Sequence, residues 1–260
     1  MNALLSTTAL TKRYGALQVT DNVSLDIRAG ELHAIIGPNG AGKTTLINQL
    51  SGELASDSGQ VFFEGQDITA LPIHARVRRG LVRSYQITSV LDDFTVRENA
   101  CLSALGAQRH AFGFWRALLA NPQATHAADQ ALADTGLTAQ AQLKAAELGY
   151  GERRQLELAM ALAAQPKFLL LDEPMAGMSV QESAAVVALL QTLKRRYTLV
   201  LVEHDMNAVF ALADRISVLV YGRILMTGTP DEVRNNPEVR SVYLGDEEIN
   251  MLLTRENVHA

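Results

Sequence analysis

One short segment carries the clearest chemistry in this sequence: Gly37-Pro38-Asn39-Gly40-Ala41-Gly42-Lys43-Thr44. It fits the pattern G-x-x-x-x-G-K-[ST] of a phosphate-binding loop. Glycines let backbone N–H groups curl around an anion without interference from a Cβ. Lys43 supplies a positive charge for phosphate oxygens, and the hydroxyl of Thr44 can bind Mg²⁺. The chemistry predicted here is therefore the binding of nucleotide phosphates together with a metal ion.

The segments on either side of this loop fit that prediction. Residues 32–36 are mostly apolar and predict a short buried strand before the loop, and residues 46–50 predict a helix after it. The helix would point its N-terminal dipole at the same phosphates. Gly52 is placed to end the helix.

Charged residues follow two continuous apolar runs further along the chain. Residues 168–171 and 198–202 predict strands that are buried on both sides, as in a parallel sheet covered by helices. The first run is followed by Asp172 and Glu173, and His204 comes shortly after the second. Ligands of parallel α/β sheets bind at the carboxyl ends of the strands. We therefore expect these side chains to face the ligand of the phosphate loop.

The remaining segments frame this core. Residues 1–29 and 60–69 alternate apolar and polar positions, which predicts an antiparallel sheet. Residues 88–164 are rich in alanine, leucine and glutamine and predict an inserted helical lobe. Ser179 and Glu182 form a capping box that starts a helix. Residues 216–221 and 223–226 predict a strand pair, and the chain after Pro230 predicts helix.

Two other features favour ordinary structural roles when considered alone, and the role of Tyr14 is undecided on its position alone. The arginines of residues 74–83 fit a solvated helix face, and the aromatic patch 110–116 fits packing within the lobe, with partner contact as the alternative. Tyr14 is equally compatible with a strand residue and with a ring that stacks on a base. His110 and His126 have no metal-ligand spacing with Cys101, so a metal site there is rejected.

Composition restricts the classes of partner. The chain has 260 residues and a formal net charge of −5, which disfavours nucleic acid as a partner. The single cysteine allows no disulfide within the chain and suits a reducing compartment. No apolar run approaches the roughly 18 residues of a membrane helix, and the N-terminus lacks a signal-peptide pattern. We expect a chain that does not itself cross a membrane.

The order of these motifs resembles the ATP-binding cassette ATPases of ABC transporters over essentially the whole chain. The place of the family signature, usually Leu-Ser-Gly-Gly-Gln, is taken by Leu148-Gly149-Tyr150-Gly151-Glu152, ahead of a helix predicted over residues 153–164. In that family the N-terminus of this helix faces the γ-phosphate bound on another subunit, so that two cassettes enclose two ATP molecules. The resemblance implies ATPase activity, with ATP and Mg²⁺ as cofactors.

The resemblance also implies which residues bind ATP. Tyr14 would stack on the adenine. The phosphates would be bound by Gly37, Pro38, Asn39, Gly40, Ala41, Gly42, Lys43, Thr44 and Thr45. Across the dimer, the signature residues would contact the second ATP.

The metal and catalytic residues follow from the same resemblance. Thr44, Gln86 and Asp172 would hold Mg²⁺. Glu173 would orient or deprotonate the attacking water, His204 would contact the γ-phosphate, and Gln86 would reach the metal or the water. With Lys43, these make up the implied catalytic set, which acts by positioning and charge neutralisation.

Within the family, the sequence is most similar to the ATP-binding subunits of branched-chain amino acid importers. The segments that carry this similarity are 148–159, 172–179 and 242–245. Relatives with this pattern serve urea, amides and aromatic acids, and the lipopolysaccharide-export ATPase shares the Tyr-Leu-Gly tail. Two departures stand out: Gly149 replaces the signature serine, and Ser179 replaces an aspartate. A positive φ at Gly149 would explain the first as a backbone requirement.

The expected fold is α/β: a P-loop NTPase (RecA-like) core with a mostly parallel sheet, an N-terminal antiparallel β subdomain and an inserted α-helical subdomain. Residues 1–260 form a single ABC ATPase domain. Its core with the β subdomain covers 1–87 and 165–230, the helical subdomain covers 88–164, and a C-terminal helical extension covers 231–260.

The expected partners follow from the family. They are a second ATPase subunit, identical or paralogous, two transmembrane permeases, and indirectly a periplasmic solute-binding protein, with no nucleic acid. The chain would sit peripherally on the cytoplasmic face of the bacterial inner membrane, docked through residues 86–99. The alternatives from other classes are a soluble ABC-type ATPase acting on ribosomes or DNA, and a regulatory module that binds ATP without turnover.

Overall fold

The computed structural model describes residues 3–84, 90–107, 121–194 and 196–243. Of these, residues 242 and 243 are described by their backbone only. In chain order the elements are β1 (Ala3–Tyr14), β2 (Leu17–Arg28), β3 (Leu32–Ile36), α1 (Lys43–Ser51), β4 (Ser58–Phe63), β5 (Gln66–Asp67), α2 (Ile73–Val77), β6 (Leu81–Arg83), α3 (Val96–Ala107), α4 (Pro122–Asp134), a 3₁₀ helix (Ala145–Glu147), α5 (Tyr150–Ala163), β7 (Phe168–Asp172), α6 (Val180–Leu193), β8 (Thr198–Val202), α7 (Met206–Leu212), β9 (Arg215–Val220), β10 (Arg223–Gly228), α8 (Pro230–Asn235) and α9 (Pro237–Tyr243).

The chain forms two compact units. Unit 1 comprises Met1–Leu50, Leu54–Thr69 and Leu201–Ala260, and unit 2 comprises Ser51–Glu53 and Ala70–Val200. This division does not test the subdomain boundaries expected from the sequence, which remain a prediction.

An antiparallel sheet in unit 1 confirms the alternating pattern of the N-terminal segments. Its four strands are ordered β2-β1-β4-β5, and β1 pairs antiparallel with both β2 and β4. Along β2, Val23, Leu25 and Ile27 are buried while Ser24 and Asp26 are exposed. One face of this strand therefore lies in the core and the other meets water.

The strand before the phosphate loop also lies in unit 1. All five residues of β3 are buried, and the strand is parallel to β9, which in turn pairs antiparallel with β10. The turn between β9 and β10 contains Gly222 with φ of 78°, a conformation that favours glycine. The strand pair is thus as predicted.

A chain of polar groups, three of them buried, joins these strands. His33 is fully buried; its Nδ1 lies 3.2 Å from Oε1 of Glu31, and its Nε2 lies 2.8 Å from Oγ of Ser217. Ser217 in turn lies 2.7 Å from the hydroxyl of Thr227. Because a carboxylate only accepts hydrogen bonds, Nδ1 of His33 donates to Glu31. Nε2 shares its hydrogen bond with the hydroxyl of Ser217. The network satisfies polar groups that would otherwise be costly to bury.

Unit 2 contains a parallel pair of strands. β6 is parallel to β7, and the strand order is β8-β7-β6, with the boundary between the units falling inside β8. Every residue of β7 and β8 is buried, as the continuous apolar runs predict. After β7 the hydroxyl of Ser179 accepts a hydrogen bond from the N–H of Glu182, so the predicted capping box starts α6.

Three helices of unit 2 pack together as the predicted helical lobe. Arg97 of α3 forms a two-point ion pair with Asp129 of α4, at 2.6 and 2.7 Å. The hydroxyl of Ser103 donates to the carbonyl of Met160 on α5 at 2.6 Å. Most of the buried positions are alanines, which permit close approach of the helices. Asn121 caps the start of α4.

The arginine-rich segment departs from its prediction as a solvated helix face. The helix there, α2, is only five residues long, and Arg76 is 2 % exposed with its Nε donating to the carbonyl of Leu71 at 2.9 Å. Arg83 lies on β6, beyond the helix. The prediction was wrong for these two residues because their guanidinium groups are held inside the fold by hydrogen bonds, Arg76 to Leu71 and Arg83 to Glu53 and Asp172.

Candidate nucleotide site

The phosphate loop connects β3 to α1 in unit 1, and two of its glycines are required by close packing. A Cβ on Gly37 would fall far inside contact distance of the carbonyl oxygen of Leu219, and one on Gly42 would do the same at Val19. Gly42 also has φ of 103°. Both positions therefore exclude any side chain, which keeps the loop backbone bare for a ligand.

Positive charge is concentrated at the same loop. Nζ of Lys43 donates to the carbonyls of Gly37 and Pro38, at 2.6 and 3.1 Å, so the ammonium group arches back over the loop. The first N–H groups of α1 have no acceptor within the helix, and the dipole adds to their positive potential. Thr44 in this first turn is exposed. This geometry and charge fit the phosphates of a nucleotide.

Two further predicted residues of unit 1 are accessible to a ligand. Tyr14 at the end of β1 is 52 % exposed, with Nζ of Lys12 5.9 Å from the centre of its ring. The His204 side chain is 66 % exposed, and the backbone N–H of this residue donates to Oε2 of Glu203 at 3.1 Å. Asp205 caps α7 directly afterwards.

Unit 2 carries the predicted carboxylates at the end of β7. Asp172 is buried, and its Oδ2 accepts a hydrogen bond from Arg83 at 2.7 Å. Arg83 also donates to Oε2 of Glu53 at 2.8 Å. Glu173 has φ of 47°, in the left-handed region that non-glycine residues rarely adopt. Such conformations concentrate at functional sites, where the surrounding structure holds them in place.

The signature segment forms the start of α5. The helix begins at Tyr150, three residues earlier than predicted, and Gly149 is its N-cap with φ of −66° and ψ of 166°. The backbone N–H of Gly149 donates to Oε2 of Glu152 at 3.0 Å, and Oε1 of the same carboxylate accepts from Gln140 at 3.0 Å. Leu148 before the cap is buried. Half of a capping box is therefore present without a side chain at the cap.

The signature is also tied to the loop after β7. The hydroxyl of Tyr150 donates to the carbonyl of Ala176 at 2.9 Å. The next residue, Gly177, has φ of 76°, and a Cβ there would lie 2.9 Å from the tyrosine oxygen. The guanidinium of Arg154 lies over the Tyr150 ring, 5.5 Å from its centre. This link between the signature and the loop after β7 was not predicted from the sequence, although the tyrosine within the glycine-containing signature was a signal for it.

Some expectations cannot be placed in this geometry. Gln86, together with the aromatic patch 110–116, lies outside the described residues. Within the described ranges, no group of three or more His, Cys, Asp or Glu side chains could hold a metal ion by itself. Arg83 is the functional candidate that sequence reasoning missed. Its place at the end of a buried strand, directly after two apolar residues, was the available signal.

Comparison with known proteins gives the class of this chain. The family model described as "ABC transporter" matches residues 20–176, and the one described as "Branched-chain amino acid ATP-binding cassette transporter" matches 223–249. A solved ATP-binding cassette of an ABC transporter in its ADP conformation superposes with a TM-score of 0.85 at 29 % identity, covering 95 % of this chain and 100 % of that one. The chain thus has the α/β P-loop NTPase fold expected from its sequence.

Curated relatives agree with this class. The "High-affinity branched-chain amino acid transport ATP-binding protein LivG" of Salmonella typhimurium is 38 % identical, with 94 % of this chain and 98 % of that protein covered. The "Lipopolysaccharide export system ATP-binding protein LptB" of Acidithiobacillus ferridurans is 35 % identical, with 95 % and 99 % covered. The chain belongs to the ABC transporter family of ATP-binding cassettes. Its activity is ATP hydrolysis coupled to transport.

No helix in the described part of the chain meets the length and hydropathy needed for a membrane span.

Proposed function

We propose that this chain is the ATP-binding and ATP-hydrolysing subunit of an importer for branched-chain amino acids or a related small polar solute. The observation that carries the proposal is the match of residues 223–249 to the branched-chain amino acid family model, which adds solute information to the general family match. The 38 % identity to the amino acid transport protein of Salmonella supports the same solute class. Lipopolysaccharide export is the alternative, supported by the relative at 35 % identity.

In this proposal the phosphate loop binds ATP with Mg²⁺. Lys43 and the loop amides hold the phosphates, and Tyr14 stacks on the adenine. Thr44 and Asp172 supply hydroxyl and carboxylate oxygens, the hard ligands that Mg²⁺ prefers. Gln86 completes the metal set, and bound Mg²⁺ neutralises charge on the β- and γ-phosphates.

Catalysis in this proposal depends on positioning. Glu173 orients or deprotonates the attacking water, and its left-handed backbone supports a fixed direction for the carboxylate. His204 contacts the γ-phosphate, for which its 66 % exposed side chain is accessible. The signature of a second cassette completes the site, with the α5 N-terminus of that cassette directed at the γ-phosphate.

The proposed partners are a second cassette, two permease subunits and, indirectly, a periplasmic solute-binding protein, but no nucleic acid. The chain would lie peripherally on the cytoplasmic face of a bacterial inner membrane. Docking is proposed at residues 86–99, of which 90–99 are described.

A neighbouring groove supports docking of a permease segment. A cavity of about 260 Å³ lies between β6, α3 and α5, lined mainly by apolar side chains, together with Arg83, Ser84 and Glu157. Glu157 pairs with Arg154 at 2.8 Å through Oε2, whereas its buried Oε1 has no hydrogen-bond partner in the described part of the chain. Burial raises the pKa of Glu157. A permease segment that inserts a hydrogen-bond donor or a basic side chain would satisfy this oxygen.

Two variants test the ATPase half of the proposal. Lys43→Ala should lose nucleotide affinity, because it removes a charge-assisted contact of about 1.5–3 kcal/mol. Glu173→Gln should retain ATP but hydrolyse it about 10²–10⁴-fold more slowly. Lys144→Ala, which removes an exposed lysine remote from the phosphate loop in sequence, is the matched control. Equal affinity in Lys43→Ala and the control would refute the phosphate-loop role, and parent turnover in Glu173→Gln would refute its role as base.

The solute is tested on the assembled complex in vesicles. The chain is co-purified with its permeases, and ATPase activity is measured with a solute-binding protein and leucine, isoleucine or valine. Stimulation by these amino acids, absent with urea or benzoate, is the expected result. Co-purification with lipopolysaccharide-binding permeases instead would decide for export.

A further inference from the structure

We propose that Arg83 is a positioning residue for the metal-binding carboxylate: it holds one oxygen of Asp172 in place and leaves the other oxygen to Mg²⁺. The inference rests on the proposed function, since it takes Asp172 as a metal-binding residue. It adds to that function a residue at the end of β6.

The geometry of the pair fixes the carboxylate. Arg83 is the last residue of β6, opposite Leu170 on the parallel strand β7, and therefore lies beside the end of β7 where Asp172 stands. Its NH2 group is 2.7 Å from Oδ2 of Asp172, and the two side chains are 8 % and 4 % exposed. A guanidinium group is planar and permanently charged, so a buried bond to it restricts rotation of the carboxylate.

The hydrogen bond from Arg83 uses only one of the two carboxylate oxygens of Asp172, Oδ2. Within the described ranges, the carboxylate accepts a side-chain hydrogen bond at Oδ2 alone. A carboxylate oxygen that receives no hydrogen bond from the protein keeps its lone pairs for a cation or water. Mg²⁺ binds proteins through one or two carboxylates together with water and substrate phosphates, so one free oxygen is sufficient for it.

Glu53 makes the arrangement compatible with a cation. Its Oε2 lies 2.8 Å from NH1 of Arg83, so the guanidinium is shared between two carboxylates. A lone arginine beside Asp172 would repel a divalent cation through its own charge. One guanidinium between two carboxylates leaves the cluster with net negative charge, so Arg83 can orient Asp172 without cancelling its attraction for metal.

The test measures the affinity of the full chain for ADP with and without Mg²⁺. The readout is the affinity with Mg²⁺ divided by the affinity without it. Arg83→Gln should lower this ratio about tenfold or more, as expected for loss of a hydrogen bond between charged groups. Affinity for metal-free ADP should change little. Arg83→Lys, which keeps the charge and a donor, should recover most of the ratio.

A matched control is available in the same unit. Arg97→Gln also removes an arginine from a carboxylate, Asp129, at comparable distances of 2.6 and 2.7 Å, but within the helical lobe. Its ratio should equal that of the parent. A merely structural role for Arg83 would lower both affinities of Arg83→Gln together and leave the ratio unchanged.

An unchanged or increased ratio in Arg83→Gln would overturn the inference. If that variant does not fold by circular dichroism, Glu53→Gln replaces it, because it keeps the bond from Arg83 to Asp172 and removes the balancing charge. Its ratio should fall, and an unchanged ratio would then overturn the inference. Absence of ADP binding by the parent chain would instead refute the proposed function.

Discussion

Replacing Gly149 with serine should strengthen the start of α5 without distorting it. The φ of −66° and ψ of 166° at this position are open to any L-residue. A Cβ there would meet only Oε2 of Glu152, at 3.7 Å, which is an ordinary contact. The structure therefore contradicts the alternative that a positive φ requires glycine in this signature.

The magnitude follows from a second helix in the same unit. At the start of α6 the hydroxyl of Ser179 donates to Oε2 of Glu182 at 2.7 Å and accepts from its N–H at 3.3 Å. Gly149 and Glu152 have the same spacing and lack only that hydroxyl. Glycine at an N-cap is only a few tenths of a kcal/mol worse than serine, so we expect a gain of about 0.3–1 kcal/mol in the free energy of unfolding. For a chain of this size that corresponds to about 1–3 °C in Tm.

Urea and thermal unfolding of the isolated chain measure this gain. Ser179→Gly is the matched variant and should lose stability by a similar amount, since it removes the same hydroxyl from the same motif. Loss of stability in Gly149→Ser would refute the capping argument. In the assembled transporter, ATPase activity should rise or stay level, because a serine hydroxyl can also donate to the γ-phosphate. A clear fall in activity would show that the signature of this chain works without a hydroxyl there.

Two further predictions concern the buried polar network of unit 1. Ser217→Ala should lower the free energy of unfolding by about 1–3 kcal/mol, because the buried Nε2 of His33 loses its hydrogen-bond partner. Replacement of the exposed Thr227 by alanine should cost less, and equal losses in urea unfolding would contradict this. Burial raises the pKa of Glu31, but hydrogen bonds from His33 and from the N–H of Arg28 outweigh burial and leave the pKa below its usual value. This carboxylate therefore stabilises the fold above its unfolded pKa of about 4.3, and the contribution is lost as pH falls through the lowered folded pKa. The cost of Glu31→Gln in urea should thus be larger at pH 7 than in acid, and a cost independent of pH would refute the sign.

Sequence reasoning predicted the elements whose pattern is local. The period-two alternation around Val23 and the continuous apolar run of β7 each identified a strand, because burial repeats with the geometry of the backbone. The capping box at Ser179 identified the start of α6 for the same reason: both partners lie within one turn.

Contacts between residues distant in sequence escaped that reasoning. Arg83 was assigned to a solvated face because neighbouring arginines suggested one, whereas its partners Glu53 and Asp172 lie 30 and 89 positions away. The bond from Tyr150 to Ala176 spans 26 positions. Such pairs depend on how strands and loops are arranged in space, and residue types alone do not encode that arrangement.

The burial of Cys101 in α3 gives the chain an intrinsic reporter of lobe opening. This thiol is the single cysteine of the sequence, it is fully buried, and burial raises its pKa, so it is protonated and shielded at neutral pH. A thiol reagent can then react only during transient separation of the lobe helices. The rate at which a thiol reagent labels Cys101, measured with and without nucleotide, would therefore report the rate of transient opening of this lobe. No cysteine needs to be introduced for this measurement.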